Sequence, residues 1–107
     1  MIGIDIVDVA RFDKALRRSP DLERRLFTSA EITYCRTRSR SVEHLAGTLA
    51  AKEAVIKSLR LGPLVAWSRR IEIRREQGVP YATVSGQTVV LSISHDGGVA
   101  AAVAVVT

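Results

Sequence analysis

Cysteine, histidine and aromatic side chains are scarce in this chain of 107 residues: one Cys, two His and 5% aromatics. A lone Cys35 closes no intramolecular disulfide, and two histidines beside it leave a structural zinc site short of ligands. The single unpaired cysteine fits a reducing compartment. No apolar run approaches the ~20 residues that span a bilayer. The first residues, MIGIDIVDV, hold neither a basic leader nor a small-residue cleavage site. The expectation is a soluble cytoplasmic protein. C-x-x-C pairs, H-E-x-x-H and Gly-rich phosphate loops are missing, and no serine sits in G-x-S-x-G. That leaves no zinc-protease, P-loop or hydrolase signature to follow.

What is present is hydrophobic content of 47% and a formal net charge of +5 with pI near 10.1. The first can form a small core in one domain, residues 1–107. The second attracts polyanions, whether nucleic acid, acidic proteins or phosphate-rich small molecules. The excess is uneven: from Arg11 to Arg40 there are nine Arg or Lys against four Asp or Glu. Such a run is either a solvated face or a docking surface. Phe12, Phe27 and Tyr34 in this region are spaced as helix core and not as a base-stacking platform, which argues against nucleic acid.

Periodicity gives the elements. MIGIDIVDV has apolar residues on both alternating faces and is expected to be a strand covered on both sides. Phe12, Ala15 and Leu16 mark a helix over 10–18, ended by Ser19-Pro20, with a short segment carrying Leu22, Leu26 and Phe27 after it. Thr28 and Glu31 read as a capping box for another short helix. The longest helix is expected over about 42–60, with Ser41 as N-cap and Gly62-Pro63 beyond its end. Strands are expected at Ile71 to Ile73, Tyr81 to Ser85, Val89 to Ser94 and Val99 to Val106, with a turn at Gly78-Val79-Pro80. The last is apolar on both faces and belongs inside its sheet. Helices first and strands second, after one opening strand, predict an α+β fold: an antiparallel sheet packed against one long helix and short helices.

Three places hold residues suited to chemistry. Asp5 lies mid-strand among Ile4, Ile6 and Val7, where an ionised carboxylate needs a cation or several donors unless that face is less covered than the pattern implies. Asp8, near the strand end, suits a cap. In LAAKEAVIKSL, Glu53 and Lys57 stand four apart on one helix face with Ala46 and Ala50; spacing alone makes them a surface pair. Lys52, one step around, reads by itself as a solvated charge. Finally, Ser94 and His95 end an apolar strand before the turn Asp96-Gly97-Gly98, an arrangement that suits a phosphate and equally an ordinary hairpin.

Taken in order, these segments resemble the small-chain 4′-phosphopantetheinyl transferases, the holo-acyl-carrier-protein synthase family. The resemblance covers nearly the whole chain: GIDIVDVARF, FTSAE, HLAGTLAAKEAVIKSL, IEI with GVPY, and SISHDGGVAAAVAV. It implies a Mg²⁺-dependent enzyme that moves phosphopantetheine from coenzyme A onto a serine of an acyl carrier protein, releasing adenosine 3′,5′-bisphosphate. By that resemblance Asp5 and Glu53 hold Mg²⁺, and Lys57 meets the CoA pyrophosphate. Ser94 and His95 lie near the nucleotide 3′-phosphate, and Lys52 is grouped with the CoA contacts. Glu53 or a bound water is the candidate for taking the serine proton. Arg11, with Lys14, Arg17 and Arg18, docks an acidic carrier protein. The resemblance further implies a homotrimer whose sites lie between subunits, Asp5, Glu53 and Lys57 from one and Ser94 and His95 from its neighbour. Membrane and nucleic acid are not expected partners.

This chain departs from the family pattern at Thr48, where an Arg is common, at Leu61 to Trp67, which lacks a glycine-rich run, at Arg70, which replaces an acid, and in the short connection Ser85 to Thr88. The departures bear on CoA affinity and carrier choice. The rival reading is a non-catalytic basic α+β module that binds an acidic protein or RNA.

Overall fold

The computed structural model describes residues 1–107. Strand β1 (Ile2–Asp8) leads into α1 (Val9–Arg18), α2 (Leu22–Leu26), α3 (Ser29–Arg36), α4 (Ser41–Leu59) and the single turn α5 (Leu64–Trp67). Strands β2 (Arg74–Glu76), β3 (Val79–Val84), β4 (Gln87–Asp96) and β5 (Val99–Val106) follow. One antiparallel sheet results, in the order β1-β5-β4-β3-β2. As expected for a run apolar on both faces, β5 is an interior strand, and it joins the two ends of the chain by pairing Ile2 with Val105 and Asp8 with Val99.

Helix α4 lies across one face of this sheet. Small residues set the distance: Ala50, Ala51 and Ala54 of α4 meet Ala102 and Ala104 of β5 in a core shared with Val55, Val89 and Leu91. Gly3 marks the closest approach, since a Cβ there would collide with the carbonyl oxygen of Ala54 and lie 2.8 Å from the Ser58 amide nitrogen. A smaller apolar cluster under α1 to α3 holds Phe12, Phe27, Cys35 and Leu45, with Phe12 and Phe27 edge to face at 6.2 Å.

The sheet's other face is open. Ile2, Ile4 and Ile6 of β1 are 60–70% exposed, and Val105 and Val90 extend the same face across β5 and β4. The expectation that β1 is covered on both sides is therefore corrected: α4 covers only the Gly3, Asp5 and Val7 side.

Local signals account for most boundaries. Asp8 caps α1 by accepting a hydrogen bond from the Arg11 amide at 2.8 Å, and the capping box of Thr28 and Glu31 is complete. Arg40, in left-handed conformation (φ 55°), is the N-cap of α4, so Ser41 lies inside the helix. Another left-handed residue, Arg60, ends α4 before Gly62-Pro63 is reached. The strand expected at Ile71 to Ile73 is instead irregular backbone, because a buried network occupies its polar groups. The Ile73 amide donates to Glu31 and the Ile71 carbonyl accepts from Lys52. Pairing starts at Arg74, and the hairpin turn is Gln77-Gly78, which leaves Val79 and Pro80 within β3. Gly97-Gly98, both at positive φ, closes the β4–β5 hairpin with the twist such a turn requires.

Candidate active site

The α4-facing side of β1 carries Asp5, and α4 brings Lys57 to it. The Lys57 ammonium stands 3.0 Å from Asp5 Oδ1 and 3.0 Å from the Ile4 carbonyl oxygen. Glu53 is one turn earlier on α4 and half-buried. Spacing suggested a Glu53–Lys57 surface pair, but the ion pair runs from helix to strand, because α4 sits against β1 at Gly3.

Burial, and then the charge of Asp5, push the Glu53 carboxyl above the usual carboxylate range; Lys57 opposes them. Two carboxylates thus share a site with less positive charge than they can use. Their oxygens are hard donors of the kind that hold a divalent cation together with phosphate oxygens and water. No third Asp, Glu, His or Cys joins them.

Ser94 and His95 sit toward the end of β4, paired with Ala101 and Ala100. Strand alternation places them on opposite sheet faces, Ser94 on the open face with Ile6 and His95 on the α4 side. His95 Nδ1 is 3.3 Å from Glu43 Oε2, and its ring meets that of His44 edge to face at 6.2 Å. Burial, with His95 and two arginines nearby, lowers the pKa of His44. The two halves of the candidate site are held at different turns of α4. Glu43 and Glu53 are ten residues apart, about 15 Å along a helix.

Lys52 is a correction. It is neither a solvated charge nor placed to meet CoA: its side chain is 0% exposed, 2.7 Å from Glu31, and donates to the carbonyls of Ser68 and Ile71. Helix direction decides this, since one step from Glu53 turns the side chain into the core. Burial lowers the Lys52 pKa, and Glu31 works against that shift.

Thr48 is buried as well. It donates to the His44 carbonyl and lies 3.5 Å from Cys35 Sγ, so the position supplies no anion contact. Arg11, Lys14, Arg17 and Arg18 are exposed on α1, opposite the buried Phe12. Arg17 is tied to Asp13 at 3.1 Å.

Two residues near the site were not singled out from sequence. Tyr34 packs against the edge of the smaller core cluster, as its spacing predicts, and its ring also lies between the guanidinium groups of Arg38 and Arg75, at 3.6 and 3.9 Å from its centre. Beside it a cleft of about 400 Å³ is lined by Tyr34, His44, Arg75, Pro80, Ile93 and His95. Tyr34 and Arg38 at i and i+4 were the available signal for this stack. Glu43 faces a smaller cleft of about 200 Å³ with Arg40, His95 and the Gly97-Gly98 turn, and no spacing rule links it to His95.

A five-stranded antiparallel sheet crossed by one helix, with a carboxylate pair and a lysine at one end and a histidine at the other, has the makings of a phosphoryl-group transferase. The chain belongs to the 4′-phosphopantetheinyl transferase superfamily, whose family model matches residues 1–104. Within it the chain is similar to proteins named holo-[acyl-carrier-protein] synthase. That of Salinispora arenicola is 43% identical, over 97% of this chain and 94% of the relative. That of Streptomyces griseus is 36% identical over the same shares. Among solved structures, the Helicobacter pylori holo-[acyl-carrier-protein] synthase in complex with coenzyme A aligns over 100% of both chains, with TM-score 0.81 and 34% identity. The Neisseria meningitidis enzyme covers 99% of this chain and 96% of its own, with TM-score 0.86 and 28% identity.

Proposed function

We propose that Asp5, Glu53 and Lys57 are the reaction centre of this holo-[acyl-carrier-protein] synthase. The enzyme transfers 4′-phosphopantetheine from coenzyme A to a serine of an apo acyl carrier protein. The serine oxygen forms a bond to the β-phosphorus of CoA while its proton passes to Glu53 or a bound water, the bond from that phosphorus to the bridging oxygen breaks, and adenosine 3′,5′-bisphosphate leaves. The observation that carries the assignment is the Lys57–Asp5 ion pair between α4 and β1, with the Glu53 carboxyl close enough to feel both charges.

Asp5 and Glu53 would hold Mg²⁺, which when bound neutralises charge on the diphosphate. Lys57, anchored by the Ile4 carbonyl and Asp5, presents its ammonium to the same diphosphate, where charge develops as the bridging bond breaks. Positioning supplies much of the rate, and the lysine is pre-oriented by two acceptors.

His95, on the α4 side, binds the nucleotide phosphate, Ser94 reaches the nucleotide from the open face at the same strand end, and Arg11, Lys14, Arg17 and Arg18 steer and hold the acidic carrier. The open apolar face of Ile2, Ile4, Ile6, Val90 and Val105 supports burial against other copies of the chain, and we assign it to a homotrimer. Ser94 lies on that open face, where a neighbouring subunit would cover it. Residues 1–107 act as one domain, and the buried free thiol of Cys35 suits a reducing cytoplasm. No helix is long and apolar enough to cross a membrane.

The test is release of adenosine 3′,5′-bisphosphate, followed by chromatography, when the protein is incubated with CoA, Mg²⁺ and an apo carrier. Release that requires both carrier and metal supports the reading. Hydrolysis of CoA without carrier, or no release with several acidic carriers, contradicts it.

A further inference from the structure

Glu43 Oε2 is a buried side-chain oxygen that accepts no hydrogen bond. A carboxylate oxygen removed from water without a donor is costly, and such an atom calls for a partner. Its neighbours are His95 Nδ1 at 3.3 Å and an Arg40 guanidinium nitrogen at 4.0 Å. The histidine is within ion-pair distance but not aligned as a hydrogen bond. Pairs in ligand-free sites are often long in this way and close when the ligand binds.

The surroundings favour His95 as the partner. Arg40 is largely exposed and meets the carboxylate only at the outer limit of an ion pair. The His95 ring is flanked by Glu43 on one side and the His44 ring on another, with the Gly97-Gly98 turn lining the same cleft, and its remaining edge is open to solvent. An imidazole that donates Nδ1–H to a carboxylate has its tautomer and ring plane fixed, and its Nε2–H becomes the donor left for a ligand. We propose that Glu43 is a positioning residue that holds His95 so that its Nε2–H meets the nucleotide phosphate of coenzyme A. The inference rests on the assignment of His95 made above. Glu43 and His95 belong to one chain, so the pair enters any shared site as a unit.

The mundane alternative is that Glu43, an acidic residue in the first turn of α4, serves the helix dipole alone. Transfer kinetics with CoA and with 3′-dephospho-CoA separate the two, using wild type, Glu43→Gln, His95→Asn and the double variant, each confirmed folded by thermal melting. Glu43→Gln should raise KM for CoA about tenfold, the effect of one charge-assisted hydrogen bond, with kcat little changed. It should also shrink the preference for CoA over 3′-dephospho-CoA, as His95→Asn does, and add nothing in the double variant. Glu43→Asp should restore part of the preference. If His95→Asn loses the preference while Glu43→Gln keeps it, or the two losses multiply, Glu43 does not act through His95 and only the assignment of His95 survives. If His95→Asn keeps the preference, that assignment fails and the role of Glu43 fails with it.

Discussion

The Lys57 ammonium lies 3.0 Å from Asp5 Oδ1 and thereby fastens the last full turn of α4 to the middle of β1. Lys57 is half exposed, and an exposed ion pair contributes at most about 1 kcal/mol. Its conservation of fold is therefore separable from its chemistry. Lys57→Met should shift the melting temperature by a few degrees at most and lower kcat by about 100-fold or more, the scale of losing one donor to developing charge. Circular-dichroism melting and steady-state transfer read the two effects independently.

Glu53 sets the acid limit. Its folded carboxyl pKa is raised, so protonation favours the native state. The stability this provides is full below the unfolded pKa and is lost as pH rises through the folded value. At neutral pH the ionised group is a burden on the metal-free protein. Glu53→Gln should melt higher than wild type at neutral pH, and this advantage should vanish in the ordinary carboxylate range. With Mg²⁺ bound the cation favours the ionised carboxylate and opposes the upward shift, so wild-type transfer should fail on acidification as protons displace the metal, at a pH that moves lower as Mg²⁺ is raised, and the variant should be inactive throughout. Melting in EDTA across pH and transfer rates across pH check both halves.

Lys52 is expected to behave as a structural residue. Lys52→Ala leaves Glu31 buried without its cation, a loss of about 3–5 kcal/mol, and frees the carbonyls of Ser68 and Ile71 as well. Urea unfolding should show that loss, while the folded fraction binds CoA with unchanged Kd in calorimetry. A selective loss of CoA affinity without destabilisation would return Lys52 to the nucleotide site.

The sequence disclosed the parts of this molecule governed by local rules. Asp8, the Thr28–Glu31 box and the Gly97-Gly98 turn each act within four residues, and each stands where local chemistry places it. The periodicity of 99–106 sufficed to make β5 an interior strand. Lys52 was misread because a lysine beside a site residue carries no mark of burial; its partner Glu31 is 21 positions away and its carbonyl acceptors 16 and 19 away. The Ile71 to Ile73 strand failed for the same reason, the Ile73 amide being taken by a side chain 42 positions away. Asp5 and Lys57 came together through the packing of Gly3 against Ala54, a contact no spacing rule supplies.

Helix α1 offers Arg11, Lys14 and Arg18 along one exposed stripe. Reversing two of them, Lys14→Glu with Arg18→Glu, should raise KM for an acidic carrier at least tenfold at low salt, with KM for CoA unaltered. The gap from wild type should narrow as salt rises, because the attraction being removed is screened. Carrier titrations at two ionic strengths provide the comparison.

The most direct measurement is the intact mass of a purified apo carrier after incubation with CoA and this protein, as wild type and as Asp5→Ala, each with Mg²⁺ and with EDTA. One added phosphopantetheine is expected only with wild type and Mg²⁺. The same gain from Asp5→Ala, or from wild type in EDTA, would contradict the assignment of the carboxylate pair as the centre of transfer.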